Sequence, residues 1–126
     1  MNQPTSIKRI LVVDDDADIV VLLSMRLRAK GYEVVTAPDG QEALIRVQSH
    51  RPDLIIADLQ MPNLDGWRLS QKVRDNPAYK NIPIILLSAL VSRDGPPDDV
   101  EVGDYYMGKP YDIESLLNKI KELLHE

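Results

Sequence analysis

The 126-residue chain contains no cysteine and only two histidines. It can therefore form no disulfide, hold no metal through thiolates and use no cysteine nucleophile, and we expect a cytoplasmic protein. His50 and His125 are too few for a histidine-rich metal site. Long apolar runs are also missing, so no segment is expected to span a membrane. Residues 1–9 are polar and lack the apolar core of a secretory signal.

The composition is that of one ordinary globular domain, which we assign to residues 1–126. Hydrophobic residues make up 44% of the chain and charged residues 28%, as in typical folded domains. The length suffices to bury a sizeable core. Because 15 Lys and Arg stand against 20 Asp and Glu, the net charge is −5. Direct nucleic-acid binding depends on positive charge, so we do not expect it of this domain.

Short apolar, β-branched runs alternate with helical patterns along the chain. Strands are predicted at residues 8–13, 32–37, 53–58, 83–87 and 104–108. Helices are predicted between the first and second strands, between the second and third, and at residues 67–75 and 112–124. This alternation is typical of βαβ units, so we expect an α/β domain with a doubly wound sheet of five parallel strands.

Chemically active side chains follow the carboxyl ends of four predicted strands. In doubly wound sheets, ligands bind outside these ends, so the side chains should meet at one edge. They are Asp14, Asp15 and Asp16 after the first strand, Asp58 at the end of the third, Ser88 after the fourth and Lys109 after the fifth.

Carboxylates that crowd together need a cation. Two of them about 4 Å apart, at an effective dielectric constant of about 20, repel by roughly 4 kcal/mol. Asp14, Asp15 and Asp58 together with Lys109 leave two negative charges, which a divalent cation would balance. Oxygen ligands favour Mg²⁺ as that cation. Such a site also suits phosphoryl transfer to a carboxylate. The strand pattern alone does not identify the attacking carboxylate.

Other acids have simpler interpretations. Asp16 and Asp18 stand where a helix begins and are interpreted as helix caps. Asp65 precedes Gly66 and is interpreted as part of a turn.

Four segments of the chain resemble the receiver domains of two-component response regulators. They are ILVVDDD at 10–16, IADLQMPNLDG at 56–66, LSA at 87–89 and KPY at 109–111, and the similarity extends from about residue 8 to residue 124. The resemblance implies a flavodoxin-like, CheY-like sheet of strand order 2-1-3-4-5. It implies a signalling domain that is not an enzyme, since it would catalyse only its own phosphorylation and dephosphorylation.

The resemblance also implies a cofactor and partners. Mg²⁺ would be the cofactor, and a histidine kinase or phosphotransfer protein would donate the phosphoryl group. The output would pass to a downstream protein or a fused output domain, and phosphorylation could produce a homodimer.

Site roles follow from the resemblance residue by residue. Asp58 would be the phosphoacceptor. Asp15 would bind Mg²⁺ directly and Asp14 largely through water, and Asp58 and the backbone carbonyl of Gln60 would complete the protein ligands.

Three further residues would sense phosphorylation. Lys109 would pair with the phosphoryl oxygens and Ser88 would form a hydrogen bond to them. Tyr106 would swing inward as Ser88 moves, although it could also be an ordinary strand residue with its ring on the surface. A new dianionic group would thus bias a two-state surface.

One segment departs from the family pattern. Receivers place a full fourth helix where this chain has residues 89–103, and Gly95-Pro96-Pro97 interrupts any continuous helix there. We predict a loop or a single helical turn. The surface that usually carries the output is therefore in doubt, which keeps open a pseudo-receiver that binds partners without phosphorylation.

Two other functions share the fold pattern. A flavin-binding protein would need phosphate-binding donors after the first strand, where this chain has aspartates. A phosphatase could use Asp14 and Asp16 as its catalytic pair, but Asp58 on the third strand fits a receiver better.

Overall fold

A computed structural model describes residues 7–61, 63–88, 105–108 and 111–126. Strands and helices alternate along the chain as the sequence predicts. The elements are β1 (Arg9–Val13), α1 (Ala17–Ala29), β2 (Glu33–Ala37), α2 (Gly40–His50), β3 (Leu54–Asp58), α3 (Gly66–Asp75), β4 (Ile84–Ser88), β5 (Tyr105–Gly108) and α4 (Ile113–Leu123).

The five strands form one sheet of order β2-β1-β3-β4-β5. All four neighbouring pairs are parallel, which confirms the predicted doubly wound fold. The chain turns from β2 back past β1 to β3, so the strand order reverses at β1 and β3. The carboxyl ends of these two central strands therefore border the crevice in which such sheets bind ligands.

Both faces of the sheet are covered, which explains why the central strands are continuous apolar runs. Successive residues of a strand point to opposite faces. Ile10 and Val12 of β1 pack in the layer that contains buried residues of α1 and α4, such as Leu27 and Leu116. The alternate residues of β1 pack with α2 and α3 in the second layer.

Every helix in the described part of the chain begins after an aspartate. These side chains accept backbone N–H groups of the first helical turn and replace missing intrahelical partners. The cap role of Asp16 is confirmed, whereas Asp18 lies in the first turn and donates its N–H to Asp16. The four caps are Asp16, Asp39, Asp65 and Asp112.

The described residues contain four helices, which fits a fold whose fourth family helix is shortened or missing. The segment at residues 89–103, for which the prolines predict a loop, lies outside the described residues. Among the described helices, none combines the length and the apolar character needed to cross a bilayer.

Candidate metal centre

Three carboxylates converge at the carboxyl end of the sheet. Asp14 and Asp15 follow β1, and Asp58 ends β3, which pairs directly with β1. One carboxylate oxygen of each residue lies within 4.8 Å of the other two. The three acids that the sequence predicts as a cluster are therefore neighbours, because parallel strands end at the same edge.

Asp14 is the buried member of the cluster, with only 5% of its surface exposed. Its backbone N–H donates to the carbonyl of Ala37 (3.2 Å), and its Oδ1 accepts the backbone N–H of Asp16 (2.9 Å). A buried carboxylate requires such partners, because burial removes water from the charge. Asp15 is exposed, so the two adjacent acids occupy different environments.

Asp58 is half-buried and stands at the start of the loop that leads to α3. Its Oδ1 accepts the backbone N–H of Gln60 at 3.3 Å. The backbone N–H of Leu59 donates to the carbonyl of Leu87 (2.8 Å), and that of Gly66 donates to the carbonyl of Leu59 (3.0 Å). The first bond ties the start of the loop to β4, and the second joins the two ends of the loop to each other. We call this loop, of which residues 59–61 and 63–66 are described, the acid loop.

Gly66 lets α3 begin directly against the backbone of the phosphoacceptor candidate. A Cβ atom at this position would lie 2.6 Å from the carbonyl oxygen of Asp58 and 2.9 Å from the Cα of Leu59. Both neighbours are backbone atoms, so a larger residue cannot be accommodated by a side-chain rotation. The small residue thus fixes the approach of α3 to the site.

Asp16 does not belong to the cluster. Its Oδ1 accepts the backbone N–H groups of Asp18 (3.0 Å) and Ile19 (3.4 Å) and caps α1. Asp65 likewise caps α3, where its Oδ1 accepts the N–H of Arg68 at 2.9 Å. The phosphatase hypothesis, which required Asp16 beside Asp14 as a reactive group, therefore loses one of its two acids.

The remaining predicted site residues are only partly described. The backbone of Ser88 ends β4 opposite Gly108, and that of Tyr106 lies in β5 opposite Leu86. The side chains of Ser88 and Tyr106, and all of Lys109, lie outside the described residues. Their roles stay predictions, as does that of the Gln60 carbonyl.

Two polar residues that the sequence did not single out contact each other beside the site. Asp39 caps α2 by accepting the N–H of Glu42 through Oδ1 (2.9 Å), and its Oδ2 accepts the side-chain amide of Asn63 (3.1 Å). An Asp-Gly pair before a helical pattern is typical of a cap. That signal could have identified the cap, whereas the long-range bond has no signature in the sequence.

The helix cap at Asp39 should make the free energy of unfolding depend on pH. The hydrogen bond from the Glu42 N–H lowers the pKa of the Asp39 carboxyl below its ordinary value, and the Asn63 amide adds to this. A lowered pKa stabilises the folded state above the unfolded-state pKa, and this stabilisation disappears as the pH falls through the folded-state pKa. We expect Asp39→Asn, which keeps a neutral cap, to lower the free energy of unfolding at neutral pH but much less at about pH 3. Denaturant titrations at both pH values measure this, and equal losses would contradict it.

A family comparison agrees with this geometry. The family model described as "Response regulator receiver domain" matches residues 10–121. The chain is 43% identical over 118 residues to the "probable transcriptional regulator ycf27" of Cyanophora paradoxa, a match that covers 93% of this chain and 48% of that protein. It is 42% identical over 119 residues to the "transcriptional regulatory protein PrrA" of Mycobacterium bovis, covering 92% and 49%. The chain thus spans about half the length of these curated relatives.

A solved structure gives the same picture. The response regulator protein TrrA from Thermotoga maritima, determined in complex with Mg²⁺ and BeF, superposes with a TM-score of 0.82. It is 37% identical in sequence, and the match covers 93% of this chain and 99% of that one. TrrA thus has Mg²⁺ bound on the same fold that carries the cluster of three carboxylates in this chain.

Proposed function

The chain belongs to the family of response regulator receiver domains, and on this premise we propose that it is the phosphoacceptor domain of a two-component system. A histidine kinase or a phosphotransfer protein donates the phosphoryl group, and Asp58 accepts it. The observation that carries the proposal is the convergence of the Asp14, Asp15 and Asp58 carboxylates within 4.8 Å. Three like charges at this distance need a cation, and a phosphoryl donor can use the same cation.

We propose Mg²⁺ as that cation, held by Asp15, Asp58 and the backbone carbonyl of Gln60. The exposure of Asp15 supports a direct contact. Asp14 is buried and one of its oxygens already accepts the N–H of Asp16, which supports a contact through water. The bound ion would supply charge neutralisation at the phosphoryl oxygens.

The reaction proceeds by attack of an Asp58 carboxylate oxygen on the phosphorus of a phosphohistidine. The new O–P bond forms as the N–P bond breaks, and the imidazole of the donor leaves and takes up a proton. The domain catalyses only this transfer and the later hydrolysis of its own acyl phosphate, so it is not an enzyme with an external product. The exposed edge of the cluster at Asp15 leaves a path for the donor.

The response to phosphorylation would involve three residues. Lys109 pairs with the new phosphoryl oxygens, Ser88 forms a hydrogen bond to them, and Tyr106 follows the movement of Ser88. The backbone positions of Ser88 and Tyr106, on adjacent strands near the carboxyl end of the sheet, support this proposal.

The output of the domain passes to a partner that we propose by class. The curated relatives are named as transcriptional regulators, which supports a fused output domain or a downstream regulator as the target, with homodimer formation as one response. Residues 1–126 would act as a single receiver domain in the cytoplasm, without contacting nucleic acid directly.

Labelling with a small donor tests the proposal. Incubation with Mg²⁺ and acetyl phosphate should add one phosphoryl group per chain, seen by intact mass spectrometry, and chelation of Mg²⁺ by EDTA should prevent it. A protein that stays unmodified with acetyl phosphate and with a phosphorylated histidine donor would instead be a pseudo-receiver. The interrupted segment at residues 89–103 is the feature that favours that alternative.

The proposed role of Lys109 predicts that its loss affects the conformational response and the labelling to different extents. Lys109→Ala should reduce the conformational response to phosphorylation more than it reduces labelling. The reason is that the ammonium pairs with the new phosphoryl charge, whereas Asp58 performs the attack. Amide exchange before and after labelling measures the response. A variant that responds like the wild type would contradict the role.

A further inference from the structure

We propose that Asp39 and Asn63 are positioning residues of the metal centre, and that their hydrogen bond sets its affinity for Mg²⁺. The inference rests on the proposed function, because it concerns how the acid loop presents its ligands. Neither residue belongs to the carboxylate cluster. They would act through the loop that begins at the carboxyl end of β3.

The acid loop is held at its ends by backbone bonds and at its middle by Asn63. The end bonds join Leu59 to the carbonyl of Leu87 and Gly66 to the carbonyl of Leu59. Between them lies Gln60, the predicted carbonyl ligand, whose N–H contacts the Asp58 carboxylate. On the other side of Asn63, residues 63–66 lead to Gly66, which lies against the backbone of Asp58 and Leu59. The position of Asn63 therefore bears on Asp58 and on Gln60 beside it.

Asn63 combines a left-handed backbone conformation with a long-range side-chain hydrogen bond. Its φ of 69° lies in the left-handed region, where asparagine is among the few tolerated side chains. From this conformation its amide donates to Oδ2 of Asp39 at 3.1 Å. The other oxygen of Asp39 caps α2, so one carboxylate joins the start of α2 to the acid loop.

A backbone contact beside this bond makes the junction tight. A Cβ atom at Gly40, the first residue of α2, would lie 2.3 Å from the carbonyl oxygen of Leu64 and 2.7 Å from its Cβ. Both residues are buried. The start of α2 and the acid loop thus touch directly, and the Asp39–Asn63 hydrogen bond joins the same two segments.

Residues that orient metal ligands strongly affect metal affinity even when they do not touch the ion. Loss of such support typically weakens binding by about 10-fold to 100-fold. The Asp39–Asn63 bond is exposed, so we expect a loss near the lower end, about tenfold in the dissociation constant of Mg²⁺.

Two variants remove this bond and leave its surroundings intact. Asp39→Ser keeps a side-chain acceptor for the Glu42 N–H but lacks the second oxygen that faces Asn63. Asn63→Gly removes the amide while glycine retains access to the left-handed backbone. Asp112→Ser is the matched control, because Asp112 caps α4 and its carboxylate accepts the N–H and the hydroxyl of Ser115 in the same helix.

Calorimetric titration with MgCl₂ and labelling rates with acetyl phosphate decide the question. Each variant should raise the Mg²⁺ dissociation constant about tenfold, and the double variant should bind no worse than either, since both remove one bond. Labelling should slow at low Mg²⁺ and recover at saturating Mg²⁺, while the melting temperature changes no more than in Asp112→Ser.

The outcomes separate this inference from the proposed function. If the wild type binds Mg²⁺ and both variants bind it equally well, or if their losses are additive, the positioning role is wrong while the receiver function stands. If labelling does not recover at saturating Mg²⁺, the bond supports the fold rather than the metal centre. A wild type that binds no Mg²⁺ would overturn the proposed function together with the inference.

Discussion

Replacing Asp58 by asparagine should reduce phosphoryl labelling to background while leaving the domain folded. A neutral amide is a far weaker nucleophile than a carboxylate, and the substitution removes one of the three charges that attract Mg²⁺. The fold should tolerate it, because asparagine has the same shape and its Oδ1 can still accept the N–H of Gln60. Intact mass spectrometry after incubation with Mg²⁺ and acetyl phosphate measures the loss.

A matched control, Asp53, lies directly before the first residue of the same strand. The Oδ2 of Asp53 accepts the backbone N–H of Arg9 at 2.7 Å, far from the carboxylate cluster along β3. Asp53→Asn should therefore label like the wild type, at a stability cost of about 1–2 kcal/mol for a weakened charged hydrogen bond. Wild-type labelling of the Asp58 variant would contradict the assigned phosphoacceptor.

Adding one methyl group at Gly66 should damage both stability and function. A Cβ there would come within 2.6 Å of the Asp58 carbonyl oxygen and 2.9 Å of the Leu59 Cα. Since these are backbone atoms, α3 or the end of β3 must move, and overpacking of this kind costs about 1–3 kcal/mol. We expect Gly66→Ala to unfold at lower denaturant concentration and to bind Mg²⁺ and accept phosphoryl groups poorly.

Ser70 offers a control one turn further along α3. It is fully buried, and its hydroxyl has no hydrogen-bond partner within the described residues. Ser70→Ala removes this unpaired polar atom, so stability should stay the same or rise by about 1 kcal/mol, and labelling should not change. A Gly66→Ala protein that matches Ser70→Ala in stability and labelling would show that the close approach of α3 is not needed.

The sheet was predictable because buried parallel strands leave a strong pattern. β1 was predicted at residues 8–13 and lies at Arg9–Val13, and β3 was predicted at 53–58 and lies at Leu54–Asp58. Full coverage on both faces requires apolar residues at every position of such strands. The convergence of Asp14, Asp15 and Asp58 followed from the same topology, since it needs only that β1 and β3 end together.

Features that depend on contacts distant in sequence were not predictable. The bond from Asp39 to Asn63 joins residues 24 positions apart, and no local pattern encodes it. The unequal exposure of Asp14 and Asp15 likewise depends on β2, whose last residue accepts the N–H of Asp14.

The position of the phosphoryl group shows directly which aspartate accepts it. Borohydride reduction of the labelled protein converts a phosphorylated aspartate to homoserine, and tandem mass spectrometry of the tryptic peptide that ends at Arg68 then locates it. This peptide contains Asp53, Asp58 and Asp65. We predict homoserine at Asp58 alone, and only when Mg²⁺ was present. Homoserine at Asp53 or Asp65, or labelling that proceeds equally in EDTA, would contradict the assignment of Asp58 as the Mg²⁺-dependent phosphoacceptor.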